Sequence, residues 1–122
     1  MELCTESSYW ENPSDEQIAL VIRDLPEHDY AILASGSEVF MQTMLLEPGY
    51  LLEKRDGGDD SHYEAIPKDD RKRVTISRPW WAFWEKSSSI YYFSDAEIIQ
   101  AFCAYKRGTE PPCVDRWSQI WI

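Results

Sequence analysis

The sequence has few of the residues on which catalytic and metal sites are usually built. It holds two histidines and three cysteines in 122 residues, and Cys4, Cys103 and Cys113 show no C-x-x-C spacing. An odd count without that spacing argues against a disulfide framework and a zinc knuckle. The metalloprotease, nucleophile-elbow, Walker and glycine-rich nucleotide motifs are also missing. We therefore expect a protein that is not an enzyme and needs no cofactor or metal.

One enzymatic alternative stays open around the second histidine. His62 follows Asp59 and Asp60 closely, and such a set can hold a metal ion or act as a general base. Aspartates in a hairpin tip are more often there for turn chemistry. The run at residues 57–60 also lacks the spacing of an EF-hand loop, which argues against a calcium site.

Long apolar runs are missing as well. Every uncharged stretch is far shorter than the roughly 18 to 20 apolar residues of a membrane span. The first residues, MELCTE, lack the basic and apolar regions of a signal peptide. We expect a cytoplasmic protein that does not bind a membrane. Its length and its 43% hydrophobic content predict a single domain over residues 1–122, with residues 1–13 as a loosely ordered arm.

Basic residues are scarce in the first part of the chain. Residues 1–70 hold 17 Asp and Glu against 4 Lys and Arg, whereas residues 71–122 hold 5 against 8, which leaves the whole chain at −10. A nucleic-acid binder normally presents the opposite sign, because Lys and Arg neutralise phosphates. We expect no direct contact with nucleic acid. A basic protein partner, such as one that itself works on nucleic acid, fits the acidic surface better.

Aromatic residues, in contrast, are abundant. Residues 78–84, RPWWAFW, include Trp80, Trp81 and Trp84. Tryptophan is enriched at the energetic centres of protein interfaces, although each of these three is also a candidate for ordinary core filling. Because Trp80 and Trp81 point to opposite faces if the segment is extended, we expect at least one exposed tryptophan.

Two helices carry the same start signal. Ser14 with Gln17, and Ser94 with Glu97, each form the capping-box pattern before an apolar stripe of helical period. The first helix is predicted over residues 14–25, and the second ends before Gly108, a suitable C′ residue.

The residues between the helices alternate and carry frequent turn signals, which is typical of an antiparallel meander. Pro48 and Gly49 predict a type II turn, and Gly57 and Gly58 suit a hairpin tip with positive φ. The tail from residue 111 to residue 122 is apolar enough to dock on the body. The order of N-terminal helix, β-meander, C-terminal helix and docked tail predicts an α+β fold of two layers.

Several segments together resemble a known family. They are YLLEKRDG at residues 50–57, HYEA at residues 62–65, a serine-capped helix that ends AFCAYKRG at residues 101–108, and Trp117. This pattern resembles the Imm1-type immunity proteins of bacterial polymorphic toxin systems over about residues 14–121. Residues 69–89 depart from it as a long aromatic insertion. The resemblance implies a cytoplasmic protein that binds and neutralises one cognate toxin, often a deaminase or nuclease.

The resemblance implies that an acidic, aromatic surface covers the basic active-site groove of the toxin. The candidate partner-binding residues are four acids of the hairpin and three tryptophans: Asp56, Asp59, Asp60, Glu64, Trp80, Trp81 and Trp84. We expect a monomer before binding. For the acids, a solvated hairpin is an equally good interpretation. For the whole chain, the alternative is a non-catalytic interaction module or adaptor unrelated to toxins, with a small-ligand binder as a third possibility.

Overall fold

An antiparallel sheet with two helices forms the body of the molecule. The computed structural model describes residues 1–58, 60–69, 72–76 and 88–120. The helices are α1, Asp15–Arg23, and α2, Asp95–Arg107. The strands, in chain order, are β1 Glu2–Thr5, β2 Tyr9–Glu11, β3 Tyr30–Ala34, β4 Val39–Leu45, β5 Tyr50–Asp56, β6 His62–Pro67, β7 Arg73–Ile76, β8 Ser88–Tyr91 and β9 Val114–Gln119.

Seven of these strands form one sheet in the order β2-β1-β3-β4-β5-β6-β9, and every neighbouring pair is antiparallel. The strands β7 and β8 form a separate antiparallel pair. The predicted α+β fold of two layers is confirmed. The predicted docking of the tail takes the form of an edge strand, because β9 pairs with β6.

The N-terminal residues differ from the loosely ordered arm predicted at residues 1–13. Strand β1 lies inside the sheet between β2 and β3, where Leu3 faces Leu33 across the strands and both side chains are fully buried. The four residues of β1, ELCT, do not alternate between apolar and polar, so they lack the usual signal of a half-buried strand. Its partner β3 is distant in sequence, so no local turn signal marks the pairing.

Both helix starts match the prediction. The hydroxyls of Ser14 and Ser94 accept hydrogen bonds from the amides of Gln17 and Glu97, and both capping boxes are closed by the reciprocal bond. Gly108 ends α2 in the left-handed conformation at φ 76°, as a C′ glycine does.

One of the two turn predictions is wrong. Gly57 and Gly58 have the positive φ expected of the hairpin tip, but Gly49 lacks the positive φ of a type II turn. Glycine is needed at residue 49 for a different reason, because the backbone of Phe93 lies too close to leave room for a side chain. A Cβ atom at residue 49 would lie 2.8 Å from the carbonyl oxygen of Phe93, next to the bridge that joins Tyr50 to Phe93.

The helices cover one face of the sheet. Successive strand residues point to opposite faces, and the members that face α1 and α2 form the core with the helix side chains Ile18, Ile22, Ile98 and Phe102. The hydroxyl of Tyr50 on β5 links the sheet to α1, because it donates a buried 2.9 Å hydrogen bond to the carbonyl oxygen of Ile22. In the described part of the chain, neither helix is long and apolar enough to cross a membrane.

Candidate functional site

The face of the seven-stranded sheet opposite the helices, here called the open face, is the candidate site. No described helix packs on it. The strand alternation and pairing registers assign to it a mixture of aromatic, aliphatic and charged side chains: Glu2, Cys4, Tyr9, Glu11, Tyr30, Ile32, Ala34, Phe40, Gln42, Met44, Leu51, Glu53, Arg55, His62, Glu64, Ile66, Arg116 and Ser118.

The registers place a row of side chains straight across the open face. Ile32 is paired with Gln42, Gln42 with Glu53, and Glu53 with Glu64. Side chains paired in this way have Cβ atoms about 4.5–5.5 Å apart. The row therefore runs from an aliphatic end to two adjacent carboxylates.

A groove follows this row. One depression of about 330 Å³ is lined mainly by Tyr30, Ile32, Met44, Leu51 and Glu53. A second, of about 250 Å³, has Leu51, Glu53 and Glu64 in its wall with Tyr91 and Ile120. The two depressions share Leu51 and Glu53 and therefore form one groove. One end of the groove has apolar walls, and the other end is lined by the carboxylates of Glu53 and Glu64.

Glu53 and Glu64 form a like-charge pair in the wall of this groove. Like charges directly opposite each other on neighbouring strands destabilise a sheet. Glu64 is half-buried, and burial together with the Glu53 carboxylate raises its pKa above the ordinary value. Among the described residues, Glu64 has no hydrogen-bond or ion-pair partner. The free chain therefore carries an uncompensated electrostatic cost at this point.

Glu53 is positioned by its other neighbour, His62. The Nε2 atom of His62 lies 3.2 Å from Oε2 of Glu53. A carboxylate only accepts, so this nitrogen carries the proton and donates. The His62 side chain is 9% exposed and packs edge-on against Phe40, with ring centroids 6.4 Å apart. His62 thus holds the Glu53 side chain within the open face.

A second like-charge pair lies near the opposite edge of the same face. Glu2 of β1 is paired with Glu11 of β2, and both side chains are exposed. Exposed charges interact weakly through water, so this pair costs less than Glu53 and Glu64. It adds to the negative potential of the open face, which favours the approach of a basic partner.

The structure separates the acids predicted to act together. Asp56 lies on the helix side of β5, where it forms a 3.3 Å ion pair with Lys54, whereas Glu64 lies on the open face. Asp60 is exposed in the hairpin connection, and its carbonyl oxygen accepts a hydrogen bond from Gln119. Of the predicted acids that the structure describes, only Glu64 belongs to the groove.

The remaining predicted contact residues are one acid and three tryptophans. Asp59, Trp80, Trp81 and Trp84 lie outside the described residues. Their proposed part in binding stays a prediction from the sequence.

Sequence reasoning missed most of the groove, including Tyr30, Ile32, Leu51 and Glu53. The available signal was the alternation in β5, which puts Leu51, Glu53 and Arg55 on one side and Leu52 and Lys54 on the other. The hairpin register that sets Glu53 against Glu64 could not be read from that alternation alone.

The alternative of a metal centre at His62 includes Asp59, which lies outside the described residues, so it stays an expectation from the sequence. No group of three or more His, Cys, Asp or Glu side chains in the described ranges is arranged to hold a metal ion. The three cysteines are free thiols. Burial raises the pKa of Cys113 to about 11, which disfavours the reactive thiolate form at neutral pH.

Comparison of the chain with models of protein families, with curated proteins and with solved structures found no match.

Proposed function

We propose that this chain is an immunity protein that binds a cognate bacterial toxin and neutralises it in the cytoplasm. The toxin is one that acts on nucleic acid, a deaminase or nuclease, and therefore has a basic substrate groove. The open face covers that groove. The observation that carries the proposal is the half-buried, unpartnered carboxylate of Glu64, set beside Glu53 and an apolar groove on a sheet face that no described helix covers.

The groove is complementary in charge and polarity to a basic partner. A carboxylate that costs stability in the free chain is stabilised when a partner brings a positive charge to it. The apolar walls formed by Ile32, Met44 and Leu51 supply area to bury. The negative potential of the chain, with a net charge of −10, accelerates the encounter with a basic surface.

The second candidate is an interaction module or adaptor unrelated to toxins. It would use the same open face, and no feature of that face separates the two. What separates them is genetic context, because an immunity protein is needed only when its toxin is present. We treat the protein in either case as a binder with no catalytic role and no cofactor.

Co-expression tests the proposal. The chain is expressed together with the product of the gene immediately upstream, and both cell survival and co-purification are scored. We expect rescue from toxicity and a stable complex. A harmless neighbour that does not co-purify would contradict the immunity function and favour the adaptor.

A further inference from the structure

The groove on the open face has the chemistry of a receptor for one particular side chain. Its walls beside Ile32 and Leu51 are apolar, and Glu53 and Glu64 place two carboxylates next to each other in the same groove. A ligand that fits both parts has an apolar stem and a positive charge at its end. Among natural side chains, only arginine and lysine have this form.

One of the two carboxylates is held by a neighbouring side chain, and the other belongs to the residue directly opposite on the next strand. His62 holds Glu53 through its Nε2 atom at 3.2 Å, and the antiparallel register holds Glu64 opposite Glu53. No cation of the described chain neutralises Glu64, since Arg55 of the neighbouring rung pairs with Glu38 at 2.9 Å and Arg116 with Asp115 at 3.1 Å. A positive charge from outside would meet two neighbouring acceptors, one of which, Glu53, is already held in place by His62.

We propose that this groove receives an arginine side chain of the partner, whose guanidinium lies between the carboxylates of Glu53 and Glu64. The planar guanidinium has five N–H donors in a fixed fork and can bond to two carboxylates at once. It is also less strongly hydrated than an ammonium group, so it enters a half-buried groove at lower cost than lysine does. The inference rests on the proposed function only for the protein that carries the arginine.

The test uses the full chain and a small probe, so it does not depend on finding the toxin. The capped peptide Ac-Leu-Arg-Leu-NH2 is titrated into the isotopically labelled protein, and backbone amide shifts are followed by NMR. We expect saturable shifts confined to the groove, at residues 30–32, 42–44, 51–53 and 63–65. The matched control replaces arginine by citrulline, which has the same shape without the charge, and should bind about tenfold more weakly or not at all.

Two variants and a second peptide decide the outcome. Glu64→Gln and Glu53→Gln should each weaken the arginine peptide by about tenfold, while Glu16→Gln on α1 should not change it. A dispersed amide spectrum shows that each variant is folded. Equal binding of the citrulline peptide, equal binding of Ac-Leu-Lys-Leu-NH2, or no saturable shift in the groove would overturn the proposal. Each of these outcomes leaves the co-expression result, and so the immunity function, to be judged separately.

Discussion

Glu53 and Glu64 face each other directly on adjacent antiparallel strands, and no described side chain neutralises Glu64. A sheet gains nothing for its own stability from this arrangement, because opposed like charges repel. Residues that lower stability and support no other part of the fold are found mostly at functional sites. This pair is therefore the main support for our proposal that the open face is the binding surface.

Replacement of Glu64 by glutamine separates stability from binding. Glu64→Gln removes a half-buried charge and its repulsion with Glu53, so we expect the free chain to become more stable by about 0.2–1 kcal/mol. The same change should weaken the complex with the partner. Denaturant unfolding and binding affinity, measured on the same preparation, check the two effects. A loss of stability in Glu64→Gln would contradict our account of the pair.

The effect of Glu64 on stability should depend on pH. Its folded-state pKa is raised, so the folded chain binds this proton more tightly than the unfolded chain does. The cost is fully present above the raised pKa and absent below the ordinary glutamate value. We expect the stability gap between wild type and Glu64→Gln to close as the pH falls through that window.

Several charged and polar groups surround Glu64, and the experiment needs a control that leaves all of them unchanged. They are Glu53 and Arg55 on β5, His62 beside it on β6, Arg116 and Ser118 on β9, and Tyr91 in the wall of the groove. The same unfolding series on Glu16→Gln, a substitution of an exposed acid of α1, is the reference for effects of the amide that do not involve the groove. A stability gap between wild type and Glu64→Gln that does not change with pH would exclude the assigned cause.

The hydroxyl of Tyr50 should contribute to the attachment of α1 to the sheet. It donates a buried 2.9 Å hydrogen bond to the carbonyl oxygen of Ile22. We expect Tyr50→Phe to lower the free energy of unfolding by about 1 kcal/mol. Tyr30→Phe is the matched control, since no described residue bonds to that hydroxyl. Thermal or denaturant unfolding distinguishes them, and equal effects would show that the bond adds no net stability.

The two capping boxes should differ in strength. Glu97 caps α2 and also forms an ion pair with Lys72, whereas Gln17 only caps α1. Burial alone would raise the pKa of Glu97, but hydrogen bonds from Lys72 and from the Ser94 amide outweigh it and hold the pKa below the ordinary value. We expect Glu97→Ala to cost about 1 kcal/mol at neutral pH and more than Gln17→Ala.

The cost of Glu97→Ala should shrink in acid. A lowered folded pKa means that the stabilisation is present above the ordinary glutamate value and is lost as the pH falls through the folded value. Unfolding of both variants from pH 7 to pH 3 checks this. A difference that persists unchanged at pH 3 would show that the ion pair with Lys72 contributes little.

Charges outside the groove should act on the rate of association. We expect Asp59→Lys with Asp60→Lys to slow association and reduce its salt dependence, whereas Glu64→Gln should mainly speed dissociation. If Trp80 or Trp81 is an anchor, its replacement by alanine should also act on dissociation. Stopped-flow and surface-binding kinetics across a salt series separate these effects. Wild-type association of the charge-reversed hairpin would exclude a steering role for it.

Local signals in the sequence predicted the local parts of the fold. The Ser14 and Ser94 capping boxes, the Gly108 cap and the Gly57-Gly58 tip depend on a few neighbouring residues, and all are confirmed. The insertion of β1 beside β3 depends on residues far apart in sequence and was missed.

The candidate site was harder to predict for the same reason. The opposition of Glu53 and Glu64 depends on the hairpin register, and a slip of one residue would move every side chain of a strand to the other face. Asp56 and Glu64 are acids of the same hairpin, and the sequence predicts that they contribute charge together. The pleat instead puts Asp56 on the helix side with Lys54.

Binding of the cognate partner by two charge-matched double variants tests the central claim most directly. One variant, Glu53→Gln with Glu64→Gln, alters the groove of the open face. The other, Glu16→Gln with Asp24→Asn, removes the same charge from an exposed position of α1 and from the exposed residue that caps its C-terminus. We predict that the groove variant loses at least about 2 kcal/mol of binding free energy and fails to protect cells, while the α1 variant binds nearly as wild type does. Equal affinities for the two variants would contradict the assignment of the open face as the binding site.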